Sequence, residues 1–341
     1  MQPKDISRAL ARYVEQQTGA ERVSVLNFAR LPGGAIQNNH GFAVECVGGL
    51  RPGRHDLIVR SDAPSSIQAS LGREQEFQVL LEAYEAGVTV PRPLWLCTDP
   101  SVIGSVFFIM DRVAGTADGH ALVKGGLTPA QAQALTYQLG VELAHLHQVR
   151  PPRPSLASLP MPRPSPAAGR ISQYRHALDA IPEPHPVLEW ALNWLEDNAP
   201  VSDATVLCHC DFRTGNYMVH EGRLTGVLDW EFAAWSDPYE DLGWLCSRSW
   251  RFGASQKEVG GVGDKVDLFA AYAGIAGRPV DAGKVAYWEI MGSARWAVIA
   301  LQQAQRHLSG NEPSLELALT GRLLPAIEYD LLTQIGEMDY G

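Results

Sequence analysis

The sequence predicts an α+β protein of two lobes, the first small and β-rich, the second larger and mostly helical. Three observations predict it. Short strand-like runs crowd the first 110 residues, with one strong amphipathic helix among them. From Thr128 onward the apolar residues recur mainly at helical spacing. Between helical stretches, residues 206–231 break that period with a short apolar run and a hairpin-like segment. The expected division is 1–110 for the first lobe, 111–115 as a hinge and 116–341 for the second.

In the first lobe, Ile6, Leu10, Tyr13 and Val14 place one apolar side on a short helix over 4–17. Residues 23–28 alternate as a strand, and 41–47 form a second. The loop between them carries Gly33 and Gly34. Such a loop can bring backbone N–H groups close to phosphates, or it can be a plain hairpin. Residues 56–60 are a third strand that ends on Arg60. Phe77, Leu80, Leu81 and Tyr84 make the stripe of a helix over 73–86. Glu74 and Glu76 on that helix are both candidates to pair with Arg60. Val-Pro-Arg-Pro ends it at 90–93, and 94–97 with 106–110 read as a strand pair.

In the second lobe, Thr128 and Pro129 are a good cap and first residue for a helix running to about His147. His145 and His147 are two apart and face different ways, so they are no metal pair on one helix face. His147 reads as a satisfied core or capping group. Residues 150–168 are Pro-rich and should be extended, as a lid or as a linker. Helices are expected at 169–180, 185–198 and 242–250. A Gly-rich flexible loop follows at 253–263, then helices near 264–276, 281–308 and 312–334. Trp244, Trp250, Trp288 and Trp296 bias this lobe toward aromatics. They are either core, or the wall of an apolar pocket in which Arg295 or Arg248 meets an anion.

Composition narrows the function classes. The chain has 341 residues, 45% hydrophobic and 19% charged, enough for a sizeable core. A formal charge of −10 argues against nucleic-acid and anionic-membrane partners, which need a basic face. No apolar run approaches the ~18–20 residues that span a bilayer. The first residues lack the layout of a signal segment, so a cytoplasmic protein is expected, as monomer or homodimer. Five scattered cysteines argue for buried thiols rather than a disulfide framework. Cys208 and Cys210 are too close for the usual zinc spacing.

The chemistry concentrates in residues 206–231. His209-Cys-Asp211 is followed five residues later by Asn216, and the hairpin then leads to Asp229. Protein kinases place a base Asp, a metal-binding Asn and a second metal-binding Asp in this order. Phosphoryl transfer needs an acceptor for the substrate hydroxyl's proton and oxygen ligands for Mg2+ on the nucleotide phosphates. Asp211 suits the first task; Asn216 and Asp229 suit the second. His209 and Arg213 flank Asp211 and are taken with it as candidate catalytic residues. Arg60 stands where kinases carry a Lys, and its guanidinium can hold a phosphate bidentately.

Read together, His-Cys-Asp-Phe-Arg-Thr-Gly-Asn at 209–216, Leu-Asp-Trp-Glu at 228–231 and Asp-Pro-Tyr-Glu-Asp-Leu-Gly at 237–243 resemble the aminoglycoside phosphotransferase-like family. The resemblance is to its branch in acyl-CoA dehydrogenase family members 10 and 11 and their free-standing bacterial relatives. It covers roughly 25–310 and departs at Cys210, where the family usually has Gly. It implies a protein-kinase-like fold that uses ATP and Mg2+ to phosphorylate a hydroxyl on a small molecule. It favours Glu76 as the partner of Arg60, and Arg is usual at this position in that branch. It places adenine against the hinge from Asp111 to Val113, under Ile58, with Ile36 as a second candidate for the apolar ceiling. It puts Asp241 in support of the catalytic loop. For the acceptor it suggests a hydroxyacyl compound or another apolar alcohol, with an antibiotic as second choice. A catalytically inactive nucleotide-binding module and a metal-dependent hydrolase using His209, Asp211 and Asp229 are the rivals.

Overall fold

The computed structural model describes residues 3–31, 37–62, 70–310 and 312–340. Alternating apolar residues build a five-stranded antiparallel sheet: β1 (Arg22–Arg30), β2 (Gln37–Val47), β3 (Gly53–Asp62), β4 (Pro93–Cys97) and β5 (Phe107–Asp111), in the order β1-β2-β3-β5-β4. The period of two sorts their side chains. Phe42, Val44, Leu57, Val59, Phe107 and Ile109 join Leu10 and Val14 of α1 (Pro3–Thr18) in one core. On β3 the intervening residues, Ile58 and Arg60, belong to the opposite face and are also buried. There Phe77 of α2 (Arg73–Glu85) meets Phe108 at 5.7 Å. Arg60 is opposite Asn39 on β2 and Phe108 on β5, so its backbone is pinned on both sides.

The chain divides into two compact units. The first comprises Met1–Thr116, Pro152–Ser158 and Met218–Ala233; the second comprises Ala117–Pro151, Leu159–Tyr217 and Ala234–Gly341. In the first unit, residues 152–158 are neither lid nor free linker. Pro154–Leu156 is a 3-10 turn, Leu156 is fully buried, and Ser155 hydrogen-bonds Glu82 of α2. The hairpin β7 (Tyr217–His220) and β8 (Arg223–Val227) turns at Glu221 and Gly222, both at positive φ (51° and 78°). That is the pattern of the two-residue turns that match strand twist.

The second unit is helical: α3 (Gly119–Val123), α4 (Pro129–Leu146), α5 (Pro166–Asp179), α6 (Pro186–Asp197), α7 (Pro238–Cys246), α8 (Lys265–Ala276), α9 (Ala282–Leu308), α10 (Leu315–Gly321) and α11 (Leu324–Tyr340). Thr128 opens α4 through a reciprocal capping box with Gln131. Two short strands, β6 (Val206–Cys208) and β9 (Ala234–Ser236), pair antiparallel and bracket residues 209–233.

Three expectations change. The helix expected over 312–334 is two helices, because Pro325 cannot continue the preceding turn but is tolerated at the start of a new one. The helix expected over 242–250 begins earlier, at Pro238 under an Asp237 cap, and gives way to a 3-10 turn at Arg248–Trp250. Residues 253–263 are an anchored loop. Gly260 N–H donates to Leu245 O at 3.0 Å, and Gly260 O accepts the Thr214 hydroxyl at 2.8 Å. Among the described residues no helix is long and apolar enough to cross a membrane.

Candidate active site

The first unit gathers a charged cluster around Arg60. Its guanidinium, only 6% exposed, donates to Glu76 Oε1 and to Asp229 Oδ1, each at 2.6 Å. Burial works against the charge on Arg60, and the two carboxylates more than offset it, holding its pKa above the usual arginine value. Glu76, not the exposed Glu74, is therefore the partner. Arg73, which the sequence reading overlooked, ties Glu76 from the other side and reaches Asp62 at 3.0 Å. Asp229 sits in the left-handed region, φ 69°, at the end of the hairpin. A non-glycine residue held there is strained, and the strain aims its carboxylate at Arg60.

The segment after β5 presents a sparse set of backbone groups. Asp111 N–H donates to Arg92 O at 3.0 Å and Arg112 N–H to Asp56 O at 2.9 Å. The Asp111 side chain pairs with Arg51 at 3.0 Å. Val113 N–H has no partner among the described residues. Gly115 lies so close to Val219 O that a Cβ there would overlap it. Gly33, Gly34 and Ile36 lie outside the described residues.

The second unit holds Asp211 at the end of β6. The loop is fixed from below by Asp241 on α7, which is fully buried. Its two oxygens accept the His209 and Cys210 N–H groups, each at 2.8 Å. His147, the C-cap of α4, contacts Asp241 at 3.2 Å and the Tyr272 hydroxyl at 2.9 Å. Burial pushes Asp241 up, but these hydrogen bonds and the facing histidines outweigh it and hold its carboxyl below the usual value. The two amides held by Asp241 explain how Cys210 keeps a positive φ of 58°. His209 is buried, and its Nδ1 accepts Asp211 N–H at 3.1 Å.

The Asp211 carboxylate is itself tightly held. Oδ2 accepts Asn216 Nδ2–H at 2.5 Å; Oδ1 accepts Trp244 Nε1–H at 2.8 Å. Arg213 Nε lies 3.4 Å from Oδ1, and its guanidinium stacks 4.4 Å from the Trp250 ring centroid. Asn216 Nδ2 also donates to Asp211 O at 3.0 Å, so Oδ1 is the oxygen Asn216 turns away from Asp211. The Asn216 amide oxygen in this unit and, in the first unit, the Asp229 carboxylate are each hard donors of the kind Mg2+ accepts. His147, Cys208 and Asp241 also lie close together. The hydrogen bonds just described account for that cluster, and a buried thiol raised well above its usual pKa by burial makes a poor ligand there.

Beside Trp244 is a small cavity lined by Tyr174, Glu240, Trp288, Met291 and Arg295, with room for about one water molecule. Arg295 stacks 4.4 Å from the Trp244 ring centroid and also donates to Cys210 O. Trp288 Nε1 is a buried donor with no partner among the described residues. Glu240 is engaged by Arg170 at 2.8 Å and by Ser236. Arg248, the other expected anion-binding candidate, instead pairs with Asp330 at 3.4 Å and Glu337 at 2.9 Å.

Residues 41–277 match the model of the phosphotransferase enzyme family. The chain belongs to that family. Human acyl-CoA dehydrogenase family member 11 is 30% identical over 253 residues, covering 71% of this chain and 31% of that protein, so the chain spans about a third of its relative. A Ralstonia eutropha protein provisionally described as an aminoglycoside phosphotransferase has a TM-score of 0.74 at 23% identity, over 94% of this chain and 95% of that one. Spectinomycin phosphotransferase, solved with ADP and spectinomycin, gives 0.61 at 13% identity over 96% and 98%. At these identities the structural likeness is one of fold. The fold of this phosphotransferase is thus kinase-like and α+β, as its sequence motifs imply.

Proposed function

We propose that this phosphotransferase transfers the γ-phosphoryl group of ATP to a hydroxyl on a small molecule, with Mg2+ as cofactor. The observation that carries the reading is the fixed carboxylate of Asp211, a buried residue whose two oxygens are each held by an N–H donor, with the Arg213 guanidinium 3.4 Å from one of them. In this reading Asp211 orients the acceptor hydroxyl and receives its proton as the oxygen attacks the γ-phosphorus. The bond from that phosphorus to the bridging oxygen breaks, and ADP leaves with the electron pair. Asn216 and Asp229 would hold Mg2+, which when bound offsets phosphate charge. Arg60, braced by Glu76, binds phosphate oxygens. Val113 N–H and the Asp111 carbonyl are the backbone groups assigned to adenine, with Ile58 against its ring. Gly33 and Gly34 are assigned to the phosphates. His209 acts by fixing the Asp211 backbone, and Arg213 by attracting phosphate charge near the carboxylate.

For the acceptor we favour an apolar or anionic alcohol, such as a hydroxyacyl compound. Arg295, stacked on Trp244, is the cation that would face an anionic acceptor in this reading; the cavity beside it admits about one water molecule and is not the seat of the acceptor. A polycationic antibiotic would want open carboxylates. Asp237 instead caps α7, and Glu240 is bound by Arg170.

The test is ADP release from ATP and Mg2+ across a library of alcohols, with Asp211→Ala as control. One or more acceptors should be turned over, and Asp211→Ala should lower kcat by about 10²–10⁴-fold with ATP affinity nearly intact. Phosphate release that needs no acceptor would favour the hydrolase reading instead.

A further inference from the structure

We infer that Trp244 is a positioning residue for the phosphoryl transfer, setting the plane of the Asp211 carboxylate through its indole N–H. The inference rests on the role proposed above for Asp211. A carboxylate can turn about its last bond, and a single hydrogen bond does not stop it. Asp211 has a donor on each oxygen: Asn216 Nδ2–H on Oδ2 at 2.5 Å and Trp244 Nε1–H on Oδ1 at 2.8 Å. With both in place the plane is defined, and so is the direction of the lone pairs that meet the acceptor hydroxyl.

The indole is held as firmly as the carboxylate. Trp244 is 2% exposed. Its ring meets Trp250 edge-on, with centroids 5.0 Å apart. The Arg295 guanidinium covers it at 4.4 Å, and Gly292 on α9 fits so closely that a Cβ there would come 3.1 Å from Trp244 Cε3. The cation on the ring face also draws electron density toward itself, which strengthens the N–H as a donor. None of these packing contacts uses the indole nitrogen, which lies in the five-membered ring. The one polar atom Trp244 has is spent on Asp211.

A role confined to packing would be kept by Phe; a positioning role would not. Trp244→Phe should lower kcat by about 10–100-fold while leaving the KM for ATP within twofold, and Trp244→His, which keeps a ring N–H, should recover part of the loss. Phe activity within twofold of the parent, or His no better than Phe in a folded protein, overturns the inference. The second measurement needs no turnover. In a 1H–15N spectrum the indole signal missing from Trp244→Phe is assigned to Trp244, and Asp211→Ala should move it clearly upfield. An unmoved signal overturns the inference. If the signal moves but the parent transfers phosphate to no alcohol, the positioning contact stands and it is the proposed reaction that fails.

Discussion

Asp241 shows how much one side chain can organise without touching a substrate. It serves two backbone amides and a histidine, so Asp241→Ala strands three buried partners and should cost about 2–5 kcal/mol in chemical denaturation. Its folded pKa is depressed, so its stabilising share is fully present above the unfolded value of 3.8 and fades as pH falls through the lower folded value. The stability gap between parent and Asp241→Asn should therefore narrow below about pH 4 in pH-resolved denaturation. A gap that stays constant into acid would contradict that assignment. At this scale the sequence was partly legible. Charge and spacing left Glu74 and Glu76 both open as partners of Arg60, and only the resemblance to the family singled out Glu76, the one that is buried. Arg73 and Trp244 could not, because spacing does not say where a guanidinium folds back or which way an indole N–H points.

Among the elements, the loop over 253–263 does more than join α7 to α8. Gly260, at φ 55°, receives the Thr214 hydroxyl on its carbonyl, and the same hydroxyl meets the Tyr217 hydroxyl at 2.8 Å. Thr214 lies in the turn that presents Asn216, so this loop buttresses that turn. Gly260→Ala would be strained by φ and would drive a methyl into Thr214 Oγ1. It should lose about 1 kcal/mol or more of stability and lower kcat together with it, by denaturation and steady-state assay. A glycine cluster reads in sequence as mobility, since nothing in it names the distant hydroxyl it will hold. β9 went unread for another reason: three residues are too few to display a period. The long helices α4 and α9 were plain, because each repeats its apolar stripe over several turns and begins at a capping residue.

For the whole molecule the expected behaviour is that of a nucleotide-linked enzyme. Saturating ATP with Mg2+ should raise stability by about 2.7 kcal/mol at a hundredfold excess over Kd, read as a thermal shift. Asp229→Ala should remove the part of that shift that depends on Mg2+, and an unchanged Mg2+-dependent shift would count against its assignment. The family and the kinase-like fold were readable from three short motifs, at 209–216, 228–231 and 237–243, because such residue patterns stay recognisable where overall identity is low.

The segments Pro152–Ser158 and Met218–Ala233 fold with the first unit although the chain reaches them only after entering the second. Arg60 gains one of its two carboxylates, Asp229, from the later of these passages. A gene fragment stopping at residue 116 would encode the guanidinium and omit that counter-ion. For the same reason a chimera with another family member cannot be made by one crossover: the first unit would have to be exchanged as three inserts, or its central ion cluster would be assembled from two ancestries at once.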